Sequence, residues 1–199
     1  GILPTRRGIP VDDRLRTSVP GIYAVGDCAA EGPMLAHVAS AQGIVAVEDA
    51  LGYRSRMDYT AVPSCIFSLP KAAGVGLTEA EARQAGYEVV TGAFPLAANG
   101  KALAYGETEG VVKIVSEARD HAVLGMHVLG PHASDLILEG TLLRQFEFTL
   151  EDLAHTIHAH PTLGEAISEA GLAALDRPLH IPASEIADRK STRLNSSHV

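Results

Sequence analysis

The segment His158-Ala-His-Pro-Thr-Leu-Gly-Glu165 carries the residue types best suited to proton transfer. His160 supplies an imidazole, the commonest general base in proteins, and the carboxylate of Glu165, five positions later, can orient the ring. Pro161 holds His160 in extended backbone and cannot prolong a helix from it. Apolar residues at helical spacing begin at residue 163. The spacing therefore predicts a base on a fixed extended segment, with its orienting carboxylate on the first turns of the next helix.

The same residues also fit a purely structural interpretation. Thr162-x-x-Glu165 matches a capping box, in which the glutamate only closes the start of the helix. Spacing alone does not separate the two interpretations.

Five segments together resemble the dihydrolipoyl dehydrogenases, a family of flavin- and disulfide-dependent oxidoreductases. Residues 158–166, His-Ala-His-Pro-Thr-Leu-Gly-Glu-Ala, are similar to the active-site signature near the C-terminus of that family. The other four segments follow in the family's order. Residues 20–27 resemble its second flavin-binding segment, and residues 32–37 resemble the turn after it. Residues 94–99 and 123–131 resemble two strands of its interface domain. The likeness runs from about Gly8 to Ile181.

The resemblance implies specific roles for the pair near the C-terminus. His160 is expected to deprotonate a dihydrolipoamide thiol, and Glu165 is expected to hold the ring in its useful tautomer. Electrons would then pass through a redox disulfide and FAD to NAD. The resemblance also implies a homodimer in which the pair acts on the flavin and disulfide of the other subunit, with a cis His160–Pro161 bond as one option. A lipoyl-bearing acyltransferase or a glycine cleavage carrier protein would be the partner.

A second candidate site begins at Gly26-Asp27, where a predicted strand ends. Ligands of α/β folds lie at that edge of the sheet, although an isolated Asp27 is more often simply a turn residue. A helix predicted to start at Pro33 would point its free N–H groups into the same crevice. The resemblance implies that Asp27 binds the ribityl chain of FAD. It also implies that the following turn faces the pyrimidine side of the flavin, through Met34, Leu35, Ala36 and His37.

Other parts of such a flavoprotein are missing from this sequence. It contains no GxGxxG fingerprint, no CxxxxC redox pair and no nicotinamide-binding βαβ unit, and it does not begin with Met. We therefore expect a C-terminal fragment that is inactive alone. Cys28 and Cys65 are far apart, which predicts small buried thiols in a reduced, cytoplasmic protein.

Composition excludes several other classes of protein. The 199 residues are 46% apolar, enough for one or two domains with real cores. No apolar run reaches the ~20 residues of a membrane span, and the N-terminus lacks a secretory signal. The net charge of −8 argues against nucleic acid as a partner.

The distribution of strands and helices predicts two pieces and a tail. We expect an α+β interface or dimerisation domain over residues 58–181, with an antiparallel sheet and flanking helices. It is preceded, over residues 1–53, by the C-terminal strand–helix piece of an FAD-binding α/β domain. Residues 188–199 resemble one reading frame of a common sequencing adapter and are expected to be non-native, although an ordinary disordered tail has the same composition.

The predicted elements can be stated individually. Strands are expected near residues 9–11, 22–25, 65–67, 74–77, 88–91, 111–115 and 123–129. Helices are expected at residues 33–51, 78–84, 134–147 and 162–175, with Gly52 ending the first and Thr78-x-x-Glu81 capping the second.

Three histidines, His155, His158 and His160, also raise the question of a metal site. Imidazole is a good zinc ligand, but Pro161 disturbs the spacing and no cysteine or second histidine cluster completes a set. We predict no metal, and we expect His158 to lie near the flavin pocket or to pack at a helix end.

Some residues depart from the family pattern. Val38 and Gln42 stand where Lys and Glu are usual, residues 69–71 are Leu-Pro-Lys, and Gly164 replaces Ser. These departures bear on partner docking and on subfamily.

Two alternative functions stay open. One is another disulfide reductase of the same fold, such as a glutathione, mycothiol or mercuric reductase, and the other is a non-catalytic dimerisation module.

Overall fold

The computed structural model describes residues 1–182, so the predicted non-native tail at residues 188–199 lies outside the described residues. The chain divides into two compact units, Gly1–Val62 and a second unit that starts at Pro63. None of the helices in the described part is long and apolar enough to cross a membrane.

The first unit is built around one helix, α1, which spans Ala36–Ala50. Gly52 follows it with a φ of 92°, the left-handed conformation that ends helices, as predicted. The predicted strands at residues 9–11 and 22–25 do not form, and their place is taken by the isolated bridges Ile9–Ala29 and Arg16–Tyr23. Within the described residues each segment makes a single bridge, so no ladder of paired residues extends along it.

A buried carboxylate fastens the N-terminal segment to α1. Asp49 accepts hydrogen bonds from Arg16 Nε (2.6 Å) and Nη2 (2.7 Å), from Tyr23 Oη (2.8 Å) and from Arg14 Nη1 (3.2 Å). Chiefly because Arg16 binds it, the pKa of Asp49 is lowered to about 2, although burial acts in the opposite direction. Asp49 is therefore ionised at neutral pH.

The described part of the second unit contains a five-stranded antiparallel sheet, and an antiparallel sheet is what the sequence predicts. All neighbouring strands are antiparallel, in the order β1-β2-β5-β4-β3. The strands are β1 Ser64–Ile66, β2 Lys71–Gly76, β3 Val89–Pro95, β4 Val111–Glu117 and β5 Val123–Gly130. Apolar side chains of β4 and β5, among them Ile114 and Met126, are fully buried and form the core with the helices.

Up to residue 182, five α-helices accompany this sheet: α2 Glu79–Gln84, α3 Gly100–Tyr105, α4 Ala133–Gln145, α5 Leu150–His155 and α6 Glu165–Ala174. Helix α2 carries the predicted Thr78–Glu81 capping box. Helices α3 and α5 were not predicted. Each has six residues, which is too short for a helical repeat to show in the sequence.

Helix α6 lies directly on the sheet and thereby sets the position of the candidate base. A Cβ atom at Gly92 of β3 would stand 1.9 Å from the carbonyl oxygen of Ala170, so only glycine permits this approach. Ala166, Ile167 and Ala170 are fully buried in the same contact. The first turn of α6, which carries Glu165, therefore has a rigid support.

Candidate active site

The structure brings His160 and Glu165 together. Nδ1 of His160 lies 2.9 Å from Oε1 of Glu165. The other carboxylate oxygen, Oε2, accepts a hydrogen bond from the backbone N–H of Thr162 at 2.8 Å. One carboxylate therefore holds both the imidazole and the backbone that carries it. The His160–Pro161 peptide bond is cis.

This geometry selects a tautomer for the neutral ring of His160. An ionised carboxylate can only accept hydrogen bonds, so the proton must sit on Nδ1. Nε2 then carries the free lone pair. The side chain of His160 is 78% exposed, so Nε2 is open to an incoming group. The pair thus has the chemistry of a general base with an orienting carboxylate.

Only half of the alternative capping box forms. Glu165 bonds back to Thr162 N–H, but the hydroxyl of Thr162 donates to the carbonyl of Ala159 at 2.7 Å instead of accepting from the helix. Helix α6 begins at Glu165 after Gly164, three residues later than predicted, because the segment from Pro161 is extended or turned. Glu165 therefore does more than close a helix.

Two hydrogen bonds favour the ionised form of Glu165. Burial by itself raises the pKa of this carboxyl, but the N–H of Thr162 and the ring of His160 together outweigh burial and lower the pKa below its ordinary value. The carboxylate is therefore available as an acceptor for His160 at neutral pH.

The neighbouring His158 is used differently. Its Nε2 lies 2.7 Å from Oε1 of Glu139 on α4, and its Nδ1 lies 3.1 Å from the carbonyl oxygen of Thr156. Both ring nitrogens thus face acceptors, which suits the protonated imidazolium. The hydrogen bond to Glu139 raises the pKa of His158, against the opposing effect of burial. His158 packs between elements and does not offer a free lone pair.

The raised pKa of His158 predicts a pH-dependent contribution to stability. The contribution is complete below the ordinary value of 6.5 and disappears as the pH rises through the raised pKa. Changing Glu139 to Gln should lower the free energy of unfolding by about 1 kcal/mol, or Tm by about 3 °C, at mildly acidic pH. Thermal unfolding of both proteins at several pH values checks this.

Changing exposed Glu147 to Gln is the matched control, because it also removes one carboxylate from this region. A Glu139→Gln loss that stays constant into alkaline solution would show that the ion pair is not responsible.

In the second candidate site, Gly26–Cys28 form a short 3-10 turn, and Gly26 has a φ of 72°. The N–H of Gly26 donates to Oε1 of Gln42 on α1 at 2.6 Å. Gln42 is 1% exposed, and its Nε2 donates to Tyr59 Oη (2.8 Å) and to the Glu31 carbonyl (3.2 Å). The glutamine that departs from the family pattern thus fixes this turn to the helix. Asp27 stays exposed, and its carboxylate accepts no hydrogen bond within residues 1–182.

The other residues predicted for this site lie at the start of α1. The helix starts at Ala36, not at the predicted Pro33, because Leu35 is extended with a ψ of 137°. Ala36 and His37 are therefore in the first turn, Leu35 is the N-cap, and Met34 precedes it and is 75% exposed. No side chain caps the helix at Leu35 within the described residues.

The sequence analysis did not identify three residues that hold the two sites in place. Asn99 donates a hydrogen bond to the Thr162 carbonyl, Glu139 binds His158, and Gln42 binds the N–H of Gly26. Asn99 precedes an apolar stretch, which is an N-cap signal that could have been used.

The two cysteines differ in exposure. Cys28 is exposed, contrary to the prediction, because it lies in the short turn, and Cys65 is half-buried. Within residues 1–182, no group of three or more His, Cys, Asp or Glu side chains is arranged to hold a metal ion.

Comparison with known protein families covers both units. Residues 62–171 match the pyridine nucleotide-disulphide oxidoreductase dimerisation domain, and residues 2–43 match the pyridine nucleotide-disulphide oxidoreductase domain. The chain is 49% identical to a dihydrolipoyl dehydrogenase of Chlamydia muridarum over 92% of its length, and 48% identical to one of Geobacillus stearothermophilus over 91%. It spans only 39% and 38% of those relatives.

Solved structures give the same result. LpdA from Mycobacterium tuberculosis matches 86% of the chain with a TM-score of 0.80 at 35% identity, and 38% of LpdA is covered. The HOCl-induced flavoprotein disulfide reductase RclA from Escherichia coli matches 85% with a TM-score of 0.77 at 25% identity, and 40% of RclA is covered. The chain therefore belongs to the pyridine nucleotide-disulphide oxidoreductase family.

Proposed function

We propose that this chain is the C-terminal part of a dihydrolipoyl dehydrogenase, which oxidises dihydrolipoamide with NAD by way of FAD and a redox disulfide. The observation that carries the proposal is the Glu165-bound His160 with its exposed Nε2. In this proposal residues 1–53 complete an FAD-binding domain and residues 58–181 form the interface domain. The sequence likeness to two bacterial dihydrolipoyl dehydrogenases supports it.

In the proposed reaction, His160 acts on a thiol. A thiol is mostly protonated near pH 7, yet only the thiolate attacks a disulfide. Nε2 of His160 takes the thiol proton, and Glu165 stabilises the resulting imidazolium through Nδ1–H. The dihydrolipoamide sulfurs form one S–S bond while the S–S bond of the enzyme breaks, so two electrons and two protons pass to the enzyme. His160 holds one of these protons, and one of the two enzyme sulfurs holds the other as a thiol.

The residues of the first unit fit one half of an FAD site. Asp27 offers an exposed carboxylate that can accept hydrogen bonds from polyol hydroxyls, and the uncapped start of α1 at Ala36 offers N–H donors to an electron-rich ring edge. We propose that Asp27 holds the ribityl chain and that residues 34–37 border the ring. When bound, FAD carries electrons between the disulfide and NAD.

We further propose that the protein works as a homodimer. The support is the match to a dimerisation domain and the surroundings of His160, which is exposed and has no pair of cysteines beside it within the described residues. A second subunit would bring the disulfide to this base. Lipoyl-bearing acyltransferases or a glycine cleavage carrier protein are the proposed partners, and the two unpaired cysteines agree with a reducing, cytoplasmic location.

Changing Glu165 to Gln tests the role of the carboxylate in the full-length protein. Glutamine can accept from only one of the two donors, so we expect turnover with dihydrolipoamide and NAD to fall about 10-fold. Changing Glu151 to Gln is the matched control, because Glu151 also binds a histidine ring, with 2.6 Å between His121 Nδ1 and its Oε1. Equal activities of the two variants would remove Glu165 from the mechanism.

The second candidate is another disulfide reductase of this fold, and the structural match to RclA favours it. Parallel assays with dihydrolipoamide, glutathione disulfide, mycothiol disulfide and mercuric ion, each with NAD(H) and NADP(H), separate the candidates. Preference for dihydrolipoamide with NAD supports our proposal. Absence of all these activities from a folded, full-length protein would favour a non-catalytic dimerisation module.

A further inference from the structure

Asn99 is a buried polar residue at the base of the segment that carries His160. It lies between β3 and α3 and is 3% exposed. Its Oδ1 accepts hydrogen bonds from the backbone N–H groups of Lys101 (3.0 Å) and Ala102 (2.9 Å), which caps α3. Its Nδ2 donates to the backbone carbonyl of Thr162 at 3.1 Å, 63 residues away in the sequence.

The orientation of the Asn99 amide is fixed by these partners. The two backbone N–H groups require an acceptor, and the Thr162 carbonyl requires a donor. A flipped amide would place Nδ2 against the N–H groups of Lys101 and Ala102, and Oδ1 against the Thr162 carbonyl oxygen. Asn99 therefore joins α3 to the His160 segment through the hydrogen bond from Nδ2 to the Thr162 carbonyl. A carboxylate oxygen in place of Nδ2 could not donate this bond.

The contacts continue without a gap to the candidate base. Asn99 holds the carbonyl of Thr162, the N–H of Thr162 donates to Oε2 of Glu165, and Oε1 of Glu165 binds Nδ1 of His160. Both backbone groups of Thr162 are thus hydrogen bonded, the carbonyl to Asn99 and the N–H to Glu165 of α6. We propose that Asn99 is a positioning residue for the reaction, acting on His160 through Thr162 and Glu165.

This inference rests on the proposed function, because it assumes that His160 is the base. Its physical basis is separate. The ring of His160 is largely exposed, so little packing holds it, and the Glu165 hydrogen bond sets its direction. If the Thr162 backbone shifts, Glu165 can keep its bond to Thr162 or to His160 but not the ideal geometry of both.

The sharpest test changes Asn99 to Asp in the full-length protein. Aspartate keeps the cap on α3, since its carboxylate still accepts from Lys101 and Ala102, but it places an oxygen against the Thr162 carbonyl. We expect kcat with dihydrolipoamide to fall about 10-fold, with KM and retained FAD unchanged. Asn99→Ser, which also keeps the cap but is too short to reach Thr162, should behave in the same way.

Two comparisons separate positioning from a general loss of structure. Thr78→Ala removes the cap of α2 and should lower stability without lowering kcat. In a His160→Ala background, Asn99→Asp should have no further effect on kcat, because the residue acts through that ring. As a readout independent of turnover, carbethoxylation of His160, followed by peptide mass spectrometry, should be slower in Asn99→Asp than in the wild type.

The outcomes discriminate between the two proposals. If His160→Ala lowers kcat and Asn99→Asp does not, Asn99 has only a structural role. The same conclusion follows if the two substitutions add fully in the double variant. If His160→Ala itself leaves kcat unchanged, the proposed function fails before Asn99 is in question.

Discussion

Replacing His160 with alanine in the full-length protein is expected to lower turnover with dihydrolipoamide and NAD by about 100-fold or more. The substitution removes the only group of the Glu165 pair that can take a thiol proton. The ring is exposed and makes no core contact, so FAD retention and folding should be unaffected. Steady-state NADH production, with the bound flavin quantified in the same samples, measures both effects.

Two controls locate the expected defect in thiol chemistry. Reduction of an artificial dye by NADH needs no thiolate, so His160→Ala should retain that activity. His132→Ala removes an exposed imidazole whose nearest carboxylates are 3.8 Å away, and it should have near-normal turnover with dihydrolipoamide. If His160→Ala keeps wild-type turnover with dihydrolipoamide, the assignment of the base is wrong.

Replacing Asp27 with alanine should instead weaken the binding of FAD, by about 10-fold or more. The carboxylate lies exposed in the Gly26–Cys28 turn and accepts no hydrogen bond within residues 1–182, so its loss should leave the turn intact. The proposed bonds to the ribityl hydroxyls would disappear. Gel filtration of the full-length variant, with flavin absorbance compared to protein absorbance in the protein peak, measures the loss.

Glu31→Gln is the matched control for this experiment. It neutralises an exposed carboxylate in the neighbouring loop. Glu31 binds Gln42 through its backbone carbonyl and not through its side chain, so the substitution keeps that hydrogen bond. Asp27→Asn keeps the shape and one acceptor oxygen and should lie between wild type and alanine. FAD retention in Asp27→Ala equal to that in Glu31→Gln would contradict the half-site.

The sheet of the second unit was predictable because its strands are marked by local sequence. The β-branched run at residues 111–115 and the mostly apolar run at residues 123–129 fall within β4 and β5. Thr78 and Glu81 gave the start of α2 because a capping box is a local signal. Gly52 gave the end of α1 for the same reason.

The first unit was harder to predict because its structure depends on partners distant in sequence. The apolar residues near Ile9 and Ile22 have strand propensity, but each of the two segments makes a single isolated bridge within the described residues. The link of Asp49 to Arg14, Arg16 and Tyr23 joins residues 26 to 35 positions apart. A sequence pattern of period two or 3.6 carries no information about such links.

In the candidate active site, residue types were predictable and their connections were not. The spacing of His160 and Glu165 indicated a base and a carboxylate, but it could not show that one carboxylate serves both the ring and Thr162 N–H. Nor could it separate His160, with one free nitrogen, from His158, whose two nitrogens both face acceptors. These distinctions depend on contacts made by Glu139 of α4 and by Glu165 in the first turn of α6.

Anaerobic reduction of the oxidised full-length flavoprotein by dihydrolipoamide tests the central claim most directly, because this half-reaction omits NAD and isolates the thiol step. Rapid mixing with wild-type and His160→Ala proteins, followed by flavin absorbance, gives the two rates. We predict that dihydrolipoamide reduces the wild type rapidly and the variant about 100-fold more slowly, while NADH reduces both at the same rate. Equal rates with dihydrolipoamide, or no reduction of the wild type by this thiol, would contradict the account.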